Sequence, residues 1–286
     1  MKKAFKVLGM VALIFCFSNM LSAQIQRPRK PFKIELGLNF GSTLGYSMTE
    51  SFYNDSLNTY WIDVNESGEI VPELSHPLSI GGNINLITNM GIGVQLALDY
   101  NLSSDITGFG SYYVTGYDWW GDINEGFEVD NRGTVKLMVL SLNFIYKYQG
   151  GRLCPWFSGG ASYFNGNLDA DSMVGFGFED DYGDFDYISF PVYAYEDLSG
   201  IGFNVGGGLD IQFAPNTAFT IEARYFILKE HVINWFTEVS GQFESYIWGI
   251  TYTVDPAVGD YLDGVIEPFE FNPSFPKIAA GIKFSF

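Results

Sequence analysis

Hydrophobic and polar positions alternate with a period of two in eight separate stretches of this chain. From Phe275 to Phe286, Ile278, Ala280, Ile282, Phe284 and Phe286 share one parity, and Lys277, Ala279, Gly281, Lys283 and Ser285 take the other. Alternation of this kind gives an extended strand one apolar and one polar face. Near the other end, Phe32, Ile34, Leu36, Leu38 and Phe40 oppose Lys33, Glu35, Gly37, Asn39 and Gly41. The pattern returns at 77–87, 92–101, 134–148, 153–164, 201–213 and 218–228. It is weakest at 153–164, and Leu137, Val139 and Ile145 blur it in the fourth stretch.

The connections alternate between long and short. Short turn signals stand at Thr88–Gly91, Gln149–Arg152 and Ala214–Thr217, and the long segments cover 42–76, 102–133, 165–200 and 229–274. Short turns on one side, long loops on the other and an even strand count describe a membrane barrel, whose tilted strands need about 10 residues each. The expected fold is all-β, an antiparallel transmembrane up-and-down β-barrel of eight strands. Ten strands is the alternative, because 232–239 and 243–254 also alternate and Gly241 would turn between them. Asn234, Thr237 and Glu238 give that pair a poor membrane face, so it is read as a hairpin above the bilayer. Alternation alone does not say which face points inward, since a soluble lipocalin-like barrel reverses it. Charged residues and glycines on the polar face, with the loop asymmetry, favour the apolar face outward.

Residues 1–23 read as a cleaved signal peptide, leaving 24–286 as the barrel domain. Lys2, Lys3 and Lys6 precede an apolar run from Val7 to Phe17, too short for a membrane helix, and Leu21-Ser22-Ala23 is a small-residue exit. Cleavage would remove Cys16 and leave Cys154 alone, which excludes a disulfide within the chain. The formal charge of −18, from 15 basic and 33 acidic residues, argues against a nucleic-acid partner.

The closing strand that stops at Phe286, with Phe284 two residues before it, resembles the sorting signal read by the barrel assembly machinery of Gram-negative bacteria. Together with KIELGLNFG, CPWFSGGASYF and GFNVGGGLDIQFAPNTAFTIEARYF, it makes the chain similar to the small outer-membrane β-barrel domain family, the OmpA-like and PorT-like group. The resemblance implies the cell outer membrane, with membrane lipid and lipopolysaccharide as surroundings. It says little about activity, because such folds host many functions.

Charge placement carries most of the functional expectation. The polar strand faces hold Glu35, Asp99, Asp210 and Glu222 against Lys33, Lys147, Arg224, Lys277 and Lys283. A narrow lumen with these charges is read as a plug of salt bridges, with Lys277 and Lys283 as partners for Glu222 and Asp210, and a conducting pore is the alternative. The other 29 acids fall in the four long segments. Glu179, Asp180, Asp181, Asp184 and Asp186 are hard oxygen donors suited to a divalent cation such as Ca2+. They lack the glycine and final glutamate of an EF-hand loop, so a solvated acidic surface is the simpler reading. Tyr112, Tyr113, Trp119, Trp120, Tyr193 and Tyr195 suit either an interfacial girdle or a surface for sugars and proteins. His76, near Ser79, and His231, after Glu230, form no recognisable nucleophile arrangement. The expected role is therefore structural or interactive, through acidic, aromatic segments that meet an unknown extracellular ligand or protein. A narrow porin-like channel is the runner-up, and an enzyme at the outer rim a minor alternative.

Overall fold

A computed structural model describes residues 32–58, 63–118, 121–179, 185–237, 241–244, 251–254 and 266–286. Eight strands form the barrel: β1 (Phe32–Thr43), β2 (Leu78–Thr88), β3 (Ile92–Asp118), β4 (Arg132–Lys147), β5 (Leu153–Glu179), β6 (Phe185–Ala214), β7 (Thr217–Ile227) and β8 (Phe275–Ser285). Each pairs antiparallel with the next. β8 returns to β1 through Leu36↔Phe284 and Phe40↔Ala280, which closes the ring. Closure pairs the backbone polar groups of every strand on both sides, the condition for crossing hydrocarbon with strands. The three short turns lie at one end, hereafter the turn side. Gly91, at φ 84°, supplies the left-handed residue of the first turn.

Neighbouring residues show which face is outside. Asn143 is 1% exposed, while Phe144 beside it is 78% exposed. The apolar parity of all eight strands faces outward as a belt, and the polar parity fills the lumen. This arrangement is the reverse of a soluble barrel and defines a transmembrane one.

The long segments differ from loops. β5 and β6 pair from Ile211↔Leu153 without interruption to Phe185↔Glu179, far past the roughly 9–11 residues a membrane strand needs. β3 likewise continues, with Asp63–Leu74 paired along its upper half and Gly121–Asp130 folded back onto it. Ser51–Asn58 pairs with Asp63–Leu74.

The reason lies in continued alternation with inverted chemistry. On β5, Ser158 and Ser162 face inward between outward Phe157 and Tyr163, but further along Leu168 and Ala170 are buried while Asp169 and Asp171 are exposed. On β3 a register shift between Asn101 and Ser104 accompanies the change, a bulge that resets which residues point inward. Past this level the barrel carries a core like that of a soluble protein.

The fourth long segment supplies much of that core. His231–Ile233, Phe269–Asn272 and Ser47–Met48 form a three-stranded sheet, and Phe236–Thr237 pairs with Tyr193 and Val192 of β6. Ile233, Trp235, Phe269 and Phe271 are buried against Tyr46, Phe226 and Phe275. The hairpin expected to turn at Gly241 is displaced: Gly241–Glu244 pairs with Thr251–Val254, and Gly241 begins a strand opposite Val254. Neither of these strands joins the ring, which has eight members.

Candidate functional site

The lumen site is assembled from inward positions of all eight strands, and two ion-pair clusters occupy it. Nearer the turn side, Lys147 donates to both oxygens of Glu35, at 2.7 and 2.9 Å, and lies 2.6 Å from Asp210 Oδ2. Lys283 reaches Asp210 Oδ1 at 3.0 Å, and Lys33 approaches Glu35 at 3.1 Å. Trp156 completes this cluster: its indole N–H donates to Asp210 Oδ1 at 3.0 Å, and its ring lies 4.2 Å from the Lys283 ammonium. The ring adds a cation–π contact to the carboxylate pairing.

Higher in the lumen, Lys277 bonds Asp99 Oδ1, donates to Asn39 Oδ1 at 2.9 Å and stands 3.8 Å from Glu222. Asn39 donates in turn to Glu222 Oε1 at 3.0 Å. Arg224 bonds Gln95 Oε1 at 2.9 Å and lies 3.9 Å from Asp99. Amides join the two clusters: Gln95 donates to Asn85, and Asn85 donates to Glu35. Asn143 and Asn204 extend the chain to Ser162.

Eight of the nine sequence-predicted charges are between 0 and 3% exposed. The ninth, Lys33, keeps 32% of its side chain in contact with solvent at the turn side. Four acids and four bases are thus buried together, so the enclosed lumen is electrically neutral. An unpaired ion there would cost several kcal/mol. The expected pairing of Lys283 with Asp210 is direct, whereas Lys277 engages Asp99 more closely than Glu222. The upper cluster is the looser one, because Asp99 Oδ2, Glu222 Oε2 and two nitrogens of Arg224 make no hydrogen bond.

Glycines make room for this packing. A Cβ on Gly81 would fall 2.4 Å from Asn39 Oδ1 and 2.5 Å from Asp99 Oδ1, and one on Gly208 would fall 2.7 Å from the Trp156 ring. Sequence reasoning missed Trp156, although it shares the inward parity of Cys154 and stands directly opposite Gly208. The amides Asn39, Asn83, Asn85 and Gln95 were visible as polar-parity residues, but their linking role was not.

Apolar groups bound the network at both ends. Ile87, Ile145 and Trp156 cluster at the turn side. Toward the other end, Phe226 stacks on Phe275 at 4.7 Å, and Tyr46 meets Phe275 and Phe271 edge-on. Asn101 donates to the Tyr46 hydroxyl at 2.9 Å, and burial pushes that hydroxyl well above the ordinary tyrosine range. Trp235, which bonds Ser51 at 2.9 Å, closes the layer above.

The remaining predicted residues divide. Asp180, Asp181 and Asp184 of the acid run, Trp119 and Trp120, and the leader at 1–23 lie outside the described residues. The backbones of Glu179 and Asp186 belong to the tops of β5 and β6. Tyr113 and Tyr195 are exposed, and Tyr195 donates to Asp197 at 2.8 Å. Phe284 and Phe286 face outward on the closing strand, with Phe284 covered and Phe286 42% exposed. His76 is exposed whereas Ser79 is buried in the lumen wall. His231 packs edge-on against Phe164, and burial, with Lys229 nearby, holds its pKa below the usual histidine value.

Fold and lumen together define a transmembrane β-barrel with a filled, charge-neutral interior. No protein-family profile matches the chain, and no curated protein does. Among solved structures it is similar to the outer membrane protein OprG from Pseudomonas aeruginosa, at 11% identity over 90% of this chain and 97% of that one, with a TM-score of 0.47. Neisserial surface protein A aligns at 11% identity over 90% and 98%, with a TM-score of 0.36. Ail, the attachment invasion locus protein of Yersinia pestis, aligns at 11% identity over 87% and 98%, with a TM-score of 0.31. These correspondences are loose, and the eight-strand ring rests on the pairing within this chain.

Proposed function

We propose that the protein is an integral outer-membrane barrel, closed to solutes, that serves as a stiff stand for an acidic, aromatic surface above the bilayer. The observation that carries this reading is the filled lumen: eight buried charges paired in two amide-linked clusters, bounded by Trp156 on one side and the Phe226–Phe275 stack on the other. A solute path would need those ion pairs to part, leaving charges without partners at a cost of several kcal/mol each. The turn side faces the periplasm, and the extended sheets, with Asp169, Asp171, Tyr195 and Asp197 exposed, face the exterior. The OmpA-like and PorT-like resemblance, the export leader and assembly by the barrel insertion machinery belong to this proposal.

Planar-bilayer recording of the purified protein is the direct test. The expected trace shows no steady openings, and sustained conductance steps would replace the stand with the narrow channel. Calcium at the acid run Glu179–Asp186 is a subordinate part of the proposal. Protease protection of that segment on calcium titration supports it, and an unchanged digest up to millimolar calcium removes it.

A further inference from the structure

The lipid-facing belt has a gap. Across the middle of β1, β2 and β3, outward positions carry Leu, Ile, Val, Phe or Tyr, with Gly82 as the exception. Gly82 lies between its cross-strand partners Leu38 and Leu98. Beyond them in the same row come Ile282 of β8 and Leu140 of β4. The missing side chain opens an apolar groove of about 710 Å³ that runs obliquely from Phe286 past Gly82 to Leu140.

The two adjacent glycines have different causes. Gly81 faces the lumen, where a Cβ would collide with Asn39 and Asp99. Gly82 is far less crowded: a Cβ there would meet the Gly37 carbonyl at 3.3 Å, a tight contact that asks for a shift of a few tenths of an ångström, and Leu38 Cδ2 at 3.6 Å. Its φ is not in the left-handed region either. A side chain there meets no clash under 3.0 Å, at the one place where this part of the belt has none.

We infer that this groove holds one hydrocarbon chain of a bilayer lipid. The inference rests on the membrane reading above, and three features support it. The groove is continuous with the belt, where lipid chains are the surrounding medium. Its walls are apolar at Leu38, Ile80, Ile84 and Leu98. Its length also suits a chain: five strands about 4.8 Å apart span roughly 19 Å, comparable with the roughly 15 Å hydrocarbon depth of one leaflet. Displacing a mobile chain into a fitted apolar slot gains dispersion contacts that a flat belt does not offer.

The test uses the full barrel in vesicles of phosphatidylethanolamine and phosphatidylglycerol, doped with a phospholipid whose acyl chain carries a diazirine. After illumination, labelled peptides are mapped by mass spectrometry. Label on β2 and β3 should exceed that on β5–β7 by about fivefold, a ratio equivalent to roughly 1 kcal/mol. Gly82→Leu should lower β2–β3 labelling to the β5–β7 level, while Ala223→Leu, outward on the far wall, leaves the excess intact. Unchanged heat-dependent gel mobility establishes that both variants fold. Even labelling around the wild-type barrel, or an excess that survives Gly82→Leu, overturns the groove but leaves the membrane reading standing. Disulfide-linked dimers from Leu98→Cys, with no label excess, would make a second copy the occupant and equally overturn it. Absence of label on every strand sinks the membrane reading itself.

Discussion

The same strands run through two regions whose chemistry is reversed. In the turn-side half, Leu142 and Phe144 point outward while Asn143 and Lys147 are buried. In the far half, Leu168, Val192 and Leu198 are buried while Asp169, Asp171 and Asp197 are exposed. Hydrogen bonding and strand direction are continuous across the change, so backbone preference does not explain it. The surroundings do: hydrocarbon around the first region rewards apolar side chains outside, and water around the second rewards them inside. The inversion marks where the barrel leaves the bilayer, near Met138 on β4, Tyr163 on β5 and Ile201 on β6.

The sharpest way to break the lower region is to unbalance its lumen. Asp210→Ala leaves Lys147 and Lys283 sharing no carboxylate between them and frees the Trp156 indole N–H. The expected loss is about 3–5 kcal/mol, read from denaturant unfolding in lipid vesicles. Glu222→Gln should cost less, because Glu222 Oε2 already lacks a hydrogen bond and Lys277 keeps Asp99. Equal losses for the two variants would mean that the clusters behave as one unit.

Three further changes test opposite sides of the inversion. Leu168→Ala removes a fully buried side chain from the far region, with an expected cost of about 2–5 kcal/mol in the same assay. Leu142→Arg places a charge in the belt and should cost about 2–4 kcal/mol in lipid. Asp169→Arg, on the exposed face beyond the inversion, should fall within about 0.5 kcal/mol of the parent. A large penalty for Asp169→Arg would move the bilayer border outward along β5.

Much of this was legible in the sequence. Period-two runs located all eight ring strands, with their turn-side ends placed within a few residues but the far ends of β3, β5 and β6 cut well short, and the parity of Glu35, Asp99, Lys147, Asp210, Glu222, Arg224, Lys277 and Lys283 put them on one face. The extended sheets were hidden for a physical reason. Leu168–Asp169–Ala170–Asp171 alternates as well as any membrane strand, but with the chemistry inverted, so a search for apolar-outward faces reads it as loop. The fourth segment was harder still. Ile233, Trp235, Phe269 and Phe271 form a core with residues more than 150 positions away, such as Tyr46, and no local pattern specifies that contact. Sequence paired Lys283 with Asp210 correctly, but the preference of Lys277 for Asp99 over Glu222 was closed to it, because Asp99 and Asn39 meet at the notch left by Gly81 on a neighbouring strand.

Within the lumen network the smallest expected effect concerns Lys33, at the point where the lumen meets solvent. It approaches Glu35 Oε1 at 3.1 Å, but that carboxylate already receives both contacts from Lys147 and one from Asn85. A third of the Lys33 side chain is exposed, so water replaces much of what the pair provides. Lys33→Ala also brings the turn-side cluster from three bases and two acids to two of each. The expected cost is under about 1 kcal/mol, and it should shrink further in high salt. Lys147→Ala, which strips the same carboxylate of its buried partner, serves as the comparison and should cost several times more. If the two lysines prove equally costly and equally indifferent to salt, the turn-side mouth is as dry as the middle of the lumen. The boundary of the buried network would then shift outward by a full strand position.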